Sequence, residues 1–323
     1  MAALPEAEAP VLTELSNIRP EAMERLLDEE TKTWQATLDW DFRPSADLVR
    51  RFVRMKALSG YAICLADEAV GYSYFVAEES KALIGDLYVI ERYRCPVLED
   101  QLWRAVLDAT FSSYAVRRVE AQLMLLPSSL QRPAPHAAHV TRNRRDFMAI
   151  DADRIQNLAA APARSDLRIV PWKQQSQEEA ASVVARCYQG HIDSDINDQY
   201  RSVAGARRFL LNIVQYPGCG AFFQEGSFVA LLPGTPRICG ISLASLVAAD
   251  VGHITQICIT PEARGQGIGY ALLWHSLTGL HRNGCRRVSL TVTHANQPAV
   301  RLYERIGFRA IHSFGAFVWE GIR

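Results

Sequence analysis

Arg264-Gly265-Gln266-Gly267-Ile268-Gly269 is the stretch of this chain best suited to holding a ligand. Ahead of it lies His253-Ile254-Thr255-Gln256-Ile257-Cys258-Ile259, in which apolar and β-branched residues roughly alternate, as in a strand. Behind it, apolar residues at 268, 272, 273, 277 and 280 recur at the spacing of one helical face and predict a helix from Ile268 to Asn283. A strand, a glycine turn and a helix N-terminus make an anion cradle. Backbone N–H groups converge, the helix dipole adds partial positive charge, and glycine lets a phosphate approach closely. The expected ligand is a pyrophosphate. Two common owners of such a turn are excluded. A nucleotide-hydrolysing P-loop needs Gly-Lys-Ser/Thr, and Gly269-Tyr270-Ala271 offers neither lysine nor hydroxyl. A dinucleotide fold needs a third glycine where Tyr270 stands and a carboxylate about 20 residues on, where Val288 to Val292 has none.

A second motif, Asn296-Gln297-Pro298-Ala299-Val300-Arg301-Leu302-Tyr303-Glu304-Arg305-Ile306-Gly307-Phe308, follows the strictly alternating strand-like run Arg287 to Thr293. Asn296 suits a helix N-cap, Pro298 the first turn and Gly307 the C-terminal cap. In this order, R-x-x-G-x-G and N-x-x-A-x-x-L-Y-x-x-x-G-F resemble the two signature motifs of the GNAT acyltransferase superfamily, over roughly Ser227 to Glu320. The resemblance implies an α/β fold with a twisted mixed sheet flanked by helices. It also implies binding of acyl-CoA, in the first place acetyl-CoA as cosubstrate, and acyl transfer to an amine acceptor. The acyl-CoA contacts it implies are Ile257, Cys258 and Ile259 on the strand edge, Arg264, Gly265, Gln266, Gly267, Ile268, Gly269 and Tyr270 in the loop, and Asn296.

Acyl transfer needs a polarised carbonyl, a deprotonated amine and a proton for the leaving thiolate. The resemblance gives Tyr303 the last task. His253 is the expected base, because imidazole titrates near neutrality and His253 has the strand parity of Ile257 and Ile259, with a hydrogen-bonded strand filler as the alternative. Cys258 has no adjacent base and reads as a small strand residue, not a nucleophile. His191 to Asp198 follows a helix-like run from Gln177 to Tyr188, in a region that shapes the acceptor pocket in the family. Its D-x-D-x-N spacing fails as a calcium loop: Asp198 holds the glycine position and Ala204 the glutamate position. These carboxylates read as loop caps, with attraction of a cationic amine as the alternative. Tyr200, Phe317 and Trp319 read as core aromatics, with the lining of a pocket as the alternative.

The rest of the chain must position these groups. Its 323 residues suggest two domains. The first half resembles a worn copy of the second. Ala82 to Arg94 aligns with Gly252 to Arg264 at an offset of 170, and Val70-Gly71-Tyr72-Ser73 and Arg117-Arg118-Val119 align at 169. The expected organisation is two tandem GNAT-like domains: 1–157 without an acyl-CoA loop, a linker at 158–166, and a catalytic 167–323. In the first copy the loop reads Arg94-Cys95-Pro96-Val97-Leu98-Glu99, where side chains, a missing N–H and a carboxylate all oppose a phosphate.

Composition narrows the class further. The chain carries 35 basic and 35 acidic residues, with −5 over residues 1–160 and +5 over 161–323. The basic half is the one with the glycine loop, as an anionic cofactor requires. No basic run interleaves with aromatics, no apolar run approaches a membrane span, and Met1 to Glu8 lacks the pattern of a secretion signal. Seven cysteines without a C-x-x-C pair suggest reduced thiols in a cytoplasmic protein, with no metal site. No nucleic acid or membrane partner is expected, and the oligomeric state is not readable. The leading expectation is an N-acyltransferase acting on a small amine in a ternary complex. A protein lysine or N-terminal acetyltransferase and a non-catalytic acyl-CoA sensor or scaffold stay open as alternatives.

Overall fold

The computed structural model describes residues 9–113, 115–216, 218–232 and 238–321. The N-terminal octapeptide, in which no secretion signal is expected, lies outside them. The elements, in chain order, are β1 (Val11–Glu14), α1 (Glu24–Leu38), α2 (Arg43–Arg54), β2 (Ser59–Leu65), β3 (Glu68–Glu78), β4 (Lys81–Val89), α3 (Pro96–Ser112), β5 (Arg118–Leu123), β6 (Val140–Asp151), α4 (Ala152–Gln156), β7 (Arg168–Pro171), α5 (Gln177–Cys187), α6 (Ile192–Ile196), α7 (Val203–Gln215), β8 (Ala221–Leu231), β9 (Ile238–Ala248), β10 (Val251–Ile259), α8 (Ile268–Arg282), β11 (Arg287–Thr293), α9 (Gln297–Ile306) and β12 (Arg309–Glu320). None of the described helices is long and apolar enough to cross a membrane.

Two compact units form, and each is a mixed α/β sheet with helices. The first comprises the described residues of Met1–Thr37, Asp41–Arg144 and Phe314–Arg323. Its strands β1, β2, β3 and β4 pair antiparallel in succession, β4 pairs parallel with β5, and Gly315–Glu320 of β12 closes antiparallel on β5. The second comprises Leu38–Trp40 and Arg145–Ser313. Here β7, β8, β9 and β10 pair antiparallel, β10 pairs parallel with β11, and Arg145–Asp151 of β6 closes antiparallel on β11. The strand plan is therefore the same twice, as a duplication requires. In sequence, β4 and β10 are 170 residues apart at both ends. The compact units differ from the sequence division at 158–166 because each sheet takes its closing strand from the other half of the sequence.

Local chemistry explains the elements. In α8 all five apolar positions of the predicted helical face are buried: Ile268, Leu272, Leu273, Leu277 and Leu280. Gly252 of β10 lies under Leu280, whose side chain would stand 2.8 Å from an added Cβ. In the first unit Trp103 of α3 meets Phe317 edge-on at 4.9 Å and Trp319 at 5.9 Å. All three rings are fully buried, and the Trp319 indole N–H donates to the Pro135 carbonyl. Phe317 and Trp319 thus belong to this core, as their spacing suggested.

His253 takes a different place from the one its parity implied. The β9–β10 register shifts between Ile254 and Gln256, so Thr255 is an extra residue that inverts the alternation. Ile254 and Ile257, three residues apart, consequently pack in one cluster. His253 turns inward instead, 6% exposed, edge-on to Trp40 at 5.2 Å and stacked on Phe147 at 5.8 Å, with Nδ1 2.9 Å from Ser289 Oγ. Burial, reinforced by the Arg145 charge, lowers its pKa to about 3. The imidazole expected as the base is thus enclosed by Trp40, Phe147 and Ser289, the surroundings of the alternative reading, a hydrogen-bonded strand residue.

Two outcomes follow. Phe317→Ala should cost about 3–5 kcal/mol in the unfolding transition of the first unit. The exposed Ile311→Ala should stay within about 0.5 kcal/mol; equal effects on the denaturant midpoint would contradict this packing. For His253 the folded-state pKa is depressed, so its contribution is complete above the unfolded value near 6.5 and declines as pH falls toward about 3. In that window the unfolded chain takes a proton the native state refuses, worth about 1.4 kcal/mol per pH unit. Unfolding of His253→Leu between pH 6.5 and 4.5 should show a correspondingly shallower loss of stability than the parent.

Candidate functional site

The site begins where two strands part. β10 pairs with β11 only from Val251 to Ile254, whereas β9 follows β10 as far as Ile259. Past the bulge at Thr255, the edge of Ile257–Ile259 that faces away from β9 has no recorded strand partner among the described residues. A cavity of about 1000 Å³ opens beside it, the size of a cofactor site. Ile257, Cys258 and Ile259 line it, as do Arg264, Gly265, Gly267, Ile268, Gly269, Tyr270, Asn296 and Tyr303. Of the residues expected at the site, the structure leaves only His253 and Gln266 outside the cavity wall.

The glycine loop has the form of a cradle. Gly265 and Gly267 adopt φ of +74° and +78°, a region that disfavours side chains, and no atom lies within 4 Å of where a Cβ would stand. Gly267 is the N-cap of α8 and brings no side chain to its first N–H groups, which have no acceptor within the helix. No acidic residue occupies that first turn. Arg264 does structural work beside it: its guanidinium donates to the carbonyls of Ile259 at 3.3 Å and Cys187 at 3.0 Å, tying α5 to the end of β10. Gln266 turns back, its amide donating to Glu262 O while its own carbonyl accepts from Arg164.

On the opposite side stands α9. Asn296 caps it by accepting the Ala299 N–H, and Gly307 ends it at φ +113°. Tyr303 is 7% exposed, packs against Phe308 and lines the cavity. Burial, and next the nearby Asp193 charge, push its phenol well above the usual tyrosine range, so it keeps its proton. Cys258 is pushed up as well, by its hydrogen bond toward Cys187 and by burial, which leaves it a thiol and supports the reading of a strand residue.

The third wall joins Tyr200 and the His191–Asp198 segment to two residues that sequence reasoning gave no role, Tyr188 and Gln256. Tyr188 and Tyr200 stack at 4.2 Å. Gln256 Nε2 donates to the Tyr188 hydroxyl at 2.8 Å, and the Tyr200 hydroxyl donates to Gln256 Oε1 at 3.3 Å. Beside them Asp193 accepts the Thr293 hydroxyl, and His191 accepts the Asp193 N–H at 3.1 Å. Asp193 is the one carboxylate among the described lining residues, against three arginines, Arg145, Arg264 and Arg305. That balance suits a polyanionic ligand with a cationic partner. The D-x-D run was the available signal for Asp193; nothing in spacing marked Gln256.

The first unit shows the same bulge without the same space. β4–β5 pairing ends at Ile84, and the β3–β4 register shifts around Gly85, 170 residues before Thr255. There Tyr74 covers Gly85 so closely that a Cβ would meet its ring at 2.1 Å. Asp86, Glu30 and Tyr72 are buried beside it, with the Tyr72 hydroxyl donating to Glu30 at 2.8 Å. At the start of α3, Pro96 removes a donor and Glu99 lies buried, held by Ser128 at 2.8 Å and Arg132 at 2.7 Å. The chain's own carboxylate sits in the first turn of that helix.

Residues 196–308 match the model of the acetyltransferase (GNAT) family. A mycothiol acetyltransferase from Corynebacterium jeikeium (strain K411) is 39% identical over 62 residues, 19% of this chain and 18% of that protein. Another, from Actinosynnema mirum, is 33% identical over 87 residues, 27% of this chain and 29% of that protein. The matched stretch thus spans under a third of these curated relatives. Among solved structures, a GCN5-related N-acetyltransferase from Sphaerobacter thermophilus shares the fold at a TM-score of 0.69 and 20% identity, covering 98% of this chain and 97% of that one. A tandem GNAT protein from the clavulanic acid biosynthesis pathway does so at 0.66 and 16%, covering 97% and 98%. Residues 196–308 thus match the GNAT family model, and the fold of the chain is that of GNAT N-acetyltransferases, a tandem GNAT protein among them.

Proposed function

We propose that the second unit transfers an acyl group from acyl-CoA, with acetyl-CoA as the natural donor, to a primary amine within a ternary complex. The observation that carries this reading is the continuity of one cavity from the Gly265–Gly269 cradle, along the unpaired edge of Ile257–Ile259, to the phenol of Tyr303. Ile268 and Gly269 offer main-chain N–H groups to a pyrophosphate, and the open edge of β10 offers backbone hydrogen bonds to the pantetheine arm. A main-chain N–H on that edge polarises the thioester carbonyl. Asp193 draws the acceptor ammonium into the cavity, where it gives a proton to water and the free amine attacks the thioester carbonyl. Tyr303, held protonated by burial, returns a proton to the leaving thiolate. The acetyltransferase names of the relatives support acetyl as the group transferred.

Release of coenzyme A by the purified chain, with panels of small amines and of peptides, tests the reaction. Turnover on small amines is expected. Turnover on peptides alone would replace the reading with a protein acetyltransferase, and acyl-CoA binding without any turnover with a sensor. Tyr303→Phe should lower kcat by about 100-fold while leaving acetyl-CoA affinity within about twofold. Gly267→Val forces a β-branched residue to positive φ and fills the cradle, so acetyl-CoA KM should rise by about tenfold or more. Calorimetry with acetyl-CoA separates the two effects.

A further inference from the structure

The segment that joins the two copies of the fold reaches the glycine loop. Residues 158–166 lie within the second unit. Leu158 packs on the same apolar cluster as Tyr270 and Leu302, and Leu167, just beyond the segment, packs on that of Ile268 and Leu272. Between these anchors two hydrogen bonds cross to the site. The Tyr270 hydroxyl donates to the Ala159 carbonyl, and the Arg164 guanidinium donates to the Gln266 carbonyl. Asp166 holds the same guanidinium in a fork, with Nε 2.8 Å from Oδ1 and Nη2 2.6 Å from Oδ2. Gln266 stands between Gly265 and Gly267, both at positive φ, where the backbone is least restricted. In a trans peptide the carbonyl and the following N–H point in opposite directions. Holding the Gln266 oxygen therefore turns the Gly267 N–H the other way; Gly265 and Gly267 line the cavity and Gln266 does not. Among the described residues no acceptor is recorded for that N–H.

We propose that Arg164 is a positioning residue for the acyl-CoA pyrophosphate: by gripping the Gln266 carbonyl it aims the Gly267 N–H into the cavity before any ligand arrives. This rests on the acyl-transfer reading above and deepens it, because it makes the connecting segment part of the binding site. A loop with two left-handed glycines has many conformations to lose on binding. Ordering it in advance leaves more of the interaction energy as affinity. Arg164 is not the phosphate ligand in this arrangement. Its Nε and one proton on each terminal nitrogen are committed to Asp166 and Gln266, and the Asp166 carboxylate offsets its charge.

Calorimetric titration of the full chain with acetyl-CoA, beside steady-state kinetics on an amine it turns over, tests this. Arg164→Ala should weaken acetyl-CoA binding by about tenfold, the loss of one charge-assisted hydrogen bond, and raise its KM to match. Its kcat should stay within about twofold and its thermal unfolding as in the parent. Asp166→Ala is decisive by its sign. It takes a negative charge away from a polyanion, which by electrostatics alone tightens binding. It also frees the guanidinium from its fork, so binding should instead weaken by about threefold or more. Unchanged affinity in Arg164→Ala would overturn the inference while leaving acyl transfer intact. Unchanged or tighter binding in Asp166→Ala would assign Arg164 to the phosphate itself and overturn it as well. A fall in kcat as large as the rise in KM, or an earlier unfolding transition, would mark a general structural role and also overturn it. No binding of acetyl-CoA by the parent would overturn both this inference and the reading beneath it.

Discussion

The organisation of the site depends on one irregularity, the extra residue at Thr255 in β10. A sheet whose strands pair along their whole length leaves no room for a ligand between them. By inserting one residue, β10 keeps its pairing with β9 to Ile259 but gives up β11 after Ile254. The strands part, the backbone edge of Ile257–Ile259 is left open, and the cavity follows that edge. The bulge also inverts the side-chain alternation, which sends His253 into the core and Gln256 to the tyrosine pair. Buried backbone groups demand partners. An open strand edge inside a protein is thus a binding site for something that can pair with it.

The two units show that the bulge alone is insufficient. Both carry it, 170 residues apart, and both end their parallel pairing at the same point. In the first unit Tyr74, Asp86 and Glu30 fill the ground beside it, and Glu99 occupies the first turn of α3. Burial holds the carboxyls of Glu30 and Asp86 above their usual range. In the second unit Gly265 and Gly267 leave the corresponding ground open. One fold is thus packed tight beside the bulge in one copy and left open at its glycine loop in the other.

Much of this was legible in the sequence. The helix face of α8, the strand Arg287–Thr293 and both caps of α9 lay where periodicity and capping chemistry put them, since each follows from local rules. The glycine loop and Tyr303 stand in motifs that resemble those of a known family, and both line the cavity. What escaped was set by register and by long-range pairing. The inverted parity at Thr255 misplaced His253, for no local pattern marks a single extra strand residue when Thr is at home in strands. The pairing of Gln256 with Tyr188 and Tyr200 joins residues 56 to 68 positions apart. The exchange of closing strands likewise leaves no trace in composition or periodicity.

The central claim is that the fold occurs twice and the acyl-CoA site once. Titration of the full chain with acetyl-CoA by isothermal calorimetry tests it most directly. One molecule bound per chain is expected, with binding weakened by Gly267→Val and unaffected by a glycine at Val97 in the first copy's loop. Two molecules per chain, or one whose affinity is untouched by Gly267→Val, would contradict it.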